Sequence, residues 1–245
     1  MNKTSKSLNY GIGLFETMAV VQGHIQYLDR HLERLFDSMD ALGVTYEITV
    51  DTLKNALESY VEEHTLRHCG IKVVIGDTTP VYTITHRNIP YDSSDYEKGM
   101  ALSISEIRRH SSNPLLGHKS TNYWLNMYVR EGLTTGTESL FLNEKGVVAE
   151  GTVSNIFLVT EEGIITPDVT CGLLPGIMRQ QVIDQCSVLG IPIREGMVYP
   201  EDLLTATGLF ITNSLMGVMP ITSYLGFEKA VQPWMIQLME VLNGT

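Results

Sequence analysis

The chain has 245 residues, 43% hydrophobic and 18% charged, a balance that supports a substantial buried core and excludes a disordered or fibrous class. A net charge of −11 argues against a nucleic-acid surface and against docking on an anionic membrane. Cys69, Cys171 and Cys186 are widely spaced with no C-x-x-C, no apolar run reaches transmembrane length and no apolar stretch follows the first lysines, so the expectation is a cytoplasmic protein with reduced thiols and no metal site.

In chain order, Leu28, Leu32, Leu35, Phe36, Met39 and Leu42 recur at helical spacing and Gly43 stops the run. Leu53, Leu57, Tyr60 and Val61 mark a second helix, opened by Thr49 or Asp51. Residues 71–76 and 81–86 read as a strand pair joined by Asp77-Thr78-Thr79-Pro80, and residues 100–107 as a further strand. Residues 108–118, rich in Ser, Asn, Pro and Gly, read as an interdomain linker. A helix is predicted over 122–131, then strands at 139–143, 147–150, 153–160 and 163–166. Residues 175–189 read as a helix with Pro175 in its first turn. Short strands at 209–212 and 218–222 flank a polar turn, and residues 232–242 form a closing helix. Strands and helices alternate irregularly, which disfavours a plain doubly wound parallel sheet. The expected organisation is an N-terminal α/β domain over 1–107, a linker over 108–118 and a C-terminal domain over 119–245.

Lys119 precedes a helical run, where the helix dipole disfavours a cation. Such a placement would depress the amine's pKa, as a Schiff-base lysine requires; the alternative is an ordinary solvated lysine. Glu150 ends an apolar strand, and a buried carboxylate there needs a cationic partner such as a protonated ring nitrogen. The pair suits pyridoxal phosphate, whose aldehyde takes an amine and whose pyridine nitrogen takes a carboxylate. Ser154 and Asn155 interrupt an apolar run and so call for polar partners, which a site lining would supply. Two turns can cradle a phosphate: Gly176, Ile177 and Met178 at a helix start, and Thr212-Asn213-Ser214 after an apolar strand. Arg34 shares a face with His31 but falls off its helix's apolar stripe, so periodicity leaves it in solvent. Arg108 and Arg109 are either linker charge or forks for substrate carboxylates. Among seven histidines only His64 and His68 stand at i, i+4, and no H-E-x-x-H, G-x-S-x-G, Walker A or G-x-G-x-x-G occurs.

These motifs follow one another in a recognisable order. Tyr10-Gly11-Ile12-Gly13-Leu14-Phe15-Glu16-Thr17 is followed by His31-Leu32-Glu33-Arg34-Leu35 and by Lys119-Ser120 with Asn122-Tyr123. Then come Glu150-Gly151 with Ser154-Asn155 and Phe157, Gly176-Ile177 with Arg179, and Thr212-Asn213-Ser214. The chain resembles the class IV aminotransferases, the fold-type IV pyridoxal-phosphate enzymes, from about Tyr10 to about Pro220. The resemblance implies a homodimer of two-domain α/β (α+β type) subunits, with a small N-terminal domain, a larger C-terminal pseudo-barrel and pyridoxal 5'-phosphate in the cleft between them. It implies that Lys119 is the Schiff-base lysine and that Glu150 partners the pyridine nitrogen. It also implies phosphate contacts from Arg34, from the backbone at Ile177 and Met178 after Gly176, and from the Asn213, Ser214 and Leu215 turn. Tyr123, Ser154 and Asn155 complete the cofactor set, and Phe15, Thr17, Arg108 and Arg109 the substrate set. Family members commonly open with a strand hairpin before the Tyr-Gly motif. Only nine residues precede Tyr10 here, so the expectation is either a first sheet without that edge or a displaced start.

Within the family, Phe15-Glu16-Thr17, Ile107-Arg108-Arg109 and the stretches 176–180 and 213–220 are most similar to 4-amino-4-deoxychorismate lyases. These release 4-aminobenzoate and pyruvate from a small anionic substrate. The runner-up is an aminotransferase of D-amino-acid or branched-chain type using a 2-oxo acid. A cofactor-fold protein that only binds is the outside alternative, disfavoured by an intact Lys119 and Glu150.

Overall fold

A computed structural model describes residues 5–243, and the outer limits of the two expected domains, residues 1–4 and 244–245, lie outside it. The chain divides into two compact units. One holds the chain up to Pro90 together with His118–Tyr123, and the other holds Tyr91–Gly117 and Trp124 onward. The domain boundary expected after residue 107 is therefore corrected to Pro90, with residues 118–123 returning to the first unit.

The first unit contains α1 (Lys6–Tyr10), β1 (Leu14–Val21), β2 (His24–Ile25), α2 (Leu28–Ala41), α3 (Val50–Glu63), β3 (His68–Ile75) and β4 (Tyr82–Arg87). Its sheet runs β2-β1-β3-β4, every pair antiparallel. Side chains alternate along a strand, so Leu14, Met18 and Val20 of β1 face inward with Ile71, Val73 and Ile75 of β3. They pack on Leu28, Leu32, Leu35 and Met39 of α2 and on Leu53, Leu57 and Val61 of α3. Both apolar stripes legible in the sequence are thus the buried faces of their helices. Thr49 is the cap of α3, its hydroxyl accepting from the Thr52 amide at 3.2 Å. Gly43 follows α2 at a positive φ of 62°.

The second unit contains α4 (Ser93–Lys98), β5 (Met100–Ile104), α5 (Trp124–Glu131), β6 (Thr137–Leu142), β7 (Val148–Gly151), β8 (Asn155–Thr160) and β9 (Gly163–Pro167). These are followed by α6 (Ile177–Val188), β10 (Ile193–Gly196), α7 (Pro200–Thr205), β11 (Gly208–Asn213), β12 (Gly217–Tyr224), β13 (Phe227–Glu228) and α8 (Pro233–Asn243). The strands form one curled mixed sheet in the order β10-β9-β8-β11-β12-β5-β6-β7, with β13 pairing β12. β5 lies parallel to both β12 and β6, which is why it belongs to this unit and not to the first.

The sheet is buried on both faces. Ile156, Leu158, Leu209, Ile211 and Met219 pack toward Leu203 of α7, whereas Phe157, Phe210 and Val218 pack toward Val182 of α6 and Leu238 of α8. Two-sided burial explains why these strands read as continuous apolar runs. Phe157 and Phe210 stand opposite each other across β8 and β11 and stack at 4.7 Å, worth about 0.5–1.5 kcal/mol beyond the area they bury.

Candidate active site

In the first unit, Lys119 is built onto the edge of β1. β2 covers only Val20 and Val21 of that edge, leaving the start of the strand to residues 119–121. The Phe15 amide donates to the Lys119 carbonyl at 2.9 Å, the Thr121 amide donates to the Gly13 carbonyl at 2.8 Å, and Ser120 bridges Leu14. Lys119 therefore lies in extended chain. The helix expected from residue 122 begins at Trp124, so the helix-dipole argument for Lys119 does not apply. Its ammonium sits 4.5 Å from the centre of the Phe15 ring and 5.0 Å from that of Tyr123, two rings that meet edge to face. Phe15 is buried, and Thr17, on the same face of β1, is part-buried opposite Lys72 of β3.

Arg34 is not solvated. Glu16 lies between Leu14 and Met18 on the inward face of β1, and Arg34 of α2 reaches it with a two-pronged contact, Nε to Oε1 at 2.8 Å and Nη2 to Oε2 at 2.6 Å. His31, one helical turn earlier, holds the same Oε2 at 2.7 Å through Nδ1. Burial alone would raise the Glu16 carboxyl, but the Arg34 charge and the two side-chain hydrogen bonds outweigh it and hold the pKa at about 2. Burial lowers the His31 imidazole, with the Arg34 and Lys119 charges adding to that, and it does so despite the adjacent carboxylate. His31 is thus a neutral donor and Arg34 the counter-charge. Ser38 donates to the Arg34 carbonyl at 2.8 Å and lies 3.0 Å from His118 Nδ1, tying the residue before Lys119 to α2.

In the second unit, Glu150 of β7 is buried, 7% exposed, as its strand position implied. Its Oε1 takes Arg109 Nη1 at 2.5 Å and its Oε2 takes the Leu174 amide at 3.1 Å. Arg109 is fixed by its own backbone, which donates to the Leu142 carbonyl at 2.9 Å, and its guanidinium lies 3.8 Å over the Phe141 ring. Arg109, expected to take a substrate carboxylate, is buried and pairs with Glu150 through Nη1 alone. Arg108 is exposed and donates to the Asn143 carbonyl at 3.3 Å. Arg109, held over Phe141, aims the Glu150 carboxylate together with the Leu174 amide.

Ser154 and Asn155 do not need a ligand to satisfy them. The Ser154 hydroxyl donates to Glu138 at 2.9 Å, and the same buried carboxylate takes the Thr152 amide and hydroxyl. Glu138, which sequence patterning gave no reason to single out, thereby clamps the turn that follows Glu150. Asn155 donates to the Leu174 carbonyl at 3.0 Å, and its Oδ1 occupies the place a Cβ on Gly176 would need. Any larger residue at 176 would displace that tie.

Gly176 is the N-cap of α6 and no side chain caps it, so the amides of Ile177, Met178 and Arg179 have no intrahelical acceptor. Pro175 precedes the cap, one place before the first turn expected for it. In the turn after β11, Asn213 Oδ1 accepts the Leu215 and Met216 amides at 2.9 and 3.0 Å, which shapes residues 213–216 into a cup. The buried Thr212 hydroxyl beside it has no hydrogen-bond partner. Ser214 and Leu215 are part-buried at the rim.

The family model of the class IV amino-transferases matches residues 13–224. The chain belongs to that family. An aminodeoxychorismate lyase of Bacillus subtilis (strain 168) is 29% identical over 87% of this chain and 78% of its own length. A probable branched-chain-amino-acid aminotransferase of Thermotoga maritima is 31% identical over 86% of this chain and 78% of its own length. A crystal structure of a putative 4-amino-4-deoxychorismate lyase from Legionella pneumophila superposes with a TM-score of 0.85 at 27% identity, covering 97% of this chain and 92% of that one.

Class IV aminotransferases are pyridoxal-phosphate enzymes, and this chain's residues fit that cofactor. The orphaned Thr212 hydroxyl and the uncapped amides of α6 are donors suited to a phosphate, Lys119 is an amine for an aldehyde, and Glu150 is a carboxylate for a protonated ring nitrogen. Among the described residues no helix is long and apolar enough to cross a membrane, and no cluster of three metal-type ligands occurs.

Proposed function

We propose that this class IV enzyme is a 4-amino-4-deoxychorismate lyase, releasing pyruvate to leave 4-aminobenzoate, and that it works as a homodimer. What supports the choice is the aminodeoxychorismate lyase of B. subtilis, similar over 87% of the chain, together with the resemblance of residues 176–180 and 213–220 to such lyases. Lys119 would bind the cofactor covalently and serve as the proton carrier. Glu150, paired with Arg109, would hold the pyridine nitrogen, and Arg34, the first amides of α6 and the 212–215 turn would hold the phosphate. Tyr123 stands beside the amine and Phe15 forms the floor beneath it. When bound, pyridoxal phosphate supplies the electron sink. The Lys119 amine takes the proton from the substrate carbon that bears the amino group. The ring then becomes aromatic as the C–O bond to the enolpyruvyl group breaks, and a proton on that group's methylene carbon completes pyruvate. One proton is removed and one returned, so no keto acid is needed.

The test is to incubate purified holoenzyme with aminodeoxychorismate and no acceptor. Repeated turnover to equal amounts of 4-aminobenzoate and pyruvate supports the reading. No 4-aminobenzoate, together with steady glutamate formation from a D- or branched-chain amino acid and 2-oxoglutarate, overturns it in favour of an aminotransferase.

A further inference from the structure

Lys72 of β3 has no role in the chemistry described so far. Its ammonium lies 4.3 Å from the centre of the Phe15 ring, the ring that also carries the Lys119 ammonium at 4.5 Å. Two positive charges thus share one phenyl group, and they are no more than about 9 Å apart. Register explains the arrangement. Phe15 and Thr17 lie on the outward face of β1, and Lys72 stands opposite Thr17 on the same face of β3.

No carboxylate pairs with Lys72 among the described residues. On β4 it faces Thr85, and Arg87 adds a third positive charge. From α2 comes the Arg34 charge, balanced by Glu16 on the inward face of β1, whose carboxylate the neutral His31 also holds. His118 and Tyr123 flank Lys119 on its own segment. Lys72 and Arg87 thus bring positive charge to this face of the first unit, although the whole chain is at −11.

We propose that Lys72 is a positioning residue for the proton carrier: a second ammonium, held over the same ring, that keeps the Lys119 amine less basic than a solvated lysine. The inference rests on Lys119 being the cofactor-binding amine. A like charge disfavours the protonated form of its neighbour. Lys72 itself lies below the usual lysine value, first through crowding by the protein and then through the Arg87 charge. Lys72 is open to solvent along part of its length, so its effect is screened. At about 9 Å, an effective dielectric between that of water and the protein interior gives a shift of about half to one pH unit. That shift changes the fraction of neutral amine near neutrality by about three- to tenfold. A lysine that must take and return protons near neutral pH gains from it.

The test compares Lys72→Gln, which removes the charge, with Lys72→Arg, which keeps it. Apoprotein is reacted with an amine-directed acylating reagent across a pH series, and modification is read at the Lys119 peptide by mass spectrometry. In holoenzyme the pH midpoint of the cofactor's visible absorbance is read in parallel. Lys72→Gln should raise both midpoints by about half to one unit, Lys72→Arg should leave them where they are, and Arg87→Gln should give a smaller rise. A rise of less than about 0.2 unit in Lys72→Gln, or an equal rise in Lys72→Arg, overturns the proposal. Borohydride reduction of the same holoenzyme separates this failure from another: a pyridoxyl label on a different lysine would refute the role of Lys119 itself.

Discussion

Replacing Arg109 with methionine isolates the buried pair that holds Glu150. Arg109 and Glu150 are both shielded from solvent, with side chains 3% and 10% exposed. Removing one partner from such a pair costs about 3–5 kcal/mol because the other charge stays buried and uncompensated. The loss here should fall at the lower end, for two reasons. The Leu174 amide still donates to Glu150, and the Nε and Nη2 of Arg109 have no partners, so their removal relieves two unsatisfied donors. The cation–π contact with Phe141 disappears as well, at about 0.5–2 kcal/mol. A net loss of about 2–4 kcal/mol is expected, read as a lower urea midpoint by circular dichroism with an unchanged slope. Cofactor retention should weaken in the same variant, since Glu150 will tend to take up a proton and no longer hold a cationic ring nitrogen. The double variant Arg109→Met, Glu150→Met should recover most of the stability and none of the activity. A single variant as stable as the parent, or a double variant less stable than the single, would refute the assignment of Arg109 as the partner that keeps Glu150 ionised.

Two further expectations concern the first unit. Arg34→Lys keeps the charge facing Glu16 but loses the fork; it should weaken cofactor affinity by about one to two decades, the equivalent of a charge-assisted contact, while saturated turnover holds. An unchanged cofactor dissociation constant would argue that Arg34 serves Glu16 alone. The Glu16 carboxyl is depressed to about 2 in the folded chain, so its stabilising contribution is present above the ordinary carboxylate range and is lost as pH falls through about 2. Glu16→Gln should therefore be less stable than the parent by about 3 kcal/mol at neutral pH, the gap closing between about pH 4.5 and 2. A gap that stays constant across that window would contradict the pairing with Arg34 and His31.

What the sequence left hidden was long-range. The stripe Leu28, Leu32, Leu35, Met39 needed only the helix itself to be read. Periodicity alone left Arg34 on the same helix in solvent, because a helical wheel contains no information about Glu16, 18 residues upstream on a strand. β1 gave no alternation, since Leu14, Phe15, Glu16, Met18 and Ala19 are buried on both faces of the sheet. β5 was assigned to the wrong unit because its partners, β12 and β6, are parallel and distant in sequence. For the same reason the pairing of Arg109 with Glu150, 41 residues on, was not legible. Ser154 and Asn155 were correctly marked as polar residues in need of partners, but Glu138 and the Leu174 carbonyl supply them. The motif order, by contrast, led to the family. It also lifted Arg34 above its periodicity and fixed attention on Lys119 and Glu150, neither of which spacing alone distinguishes from a surface charge.

The most direct measurement is covalent. Holoenzyme is reduced with borohydride, digested and mapped by mass spectrometry. The account predicts a single pyridoxyl-modified peptide with the label on Lys119, the residue that β1 holds against Phe15 and Tyr123. A label on Lys72 or any other lysine, or none after reconstitution with pyridoxal phosphate, would contradict it.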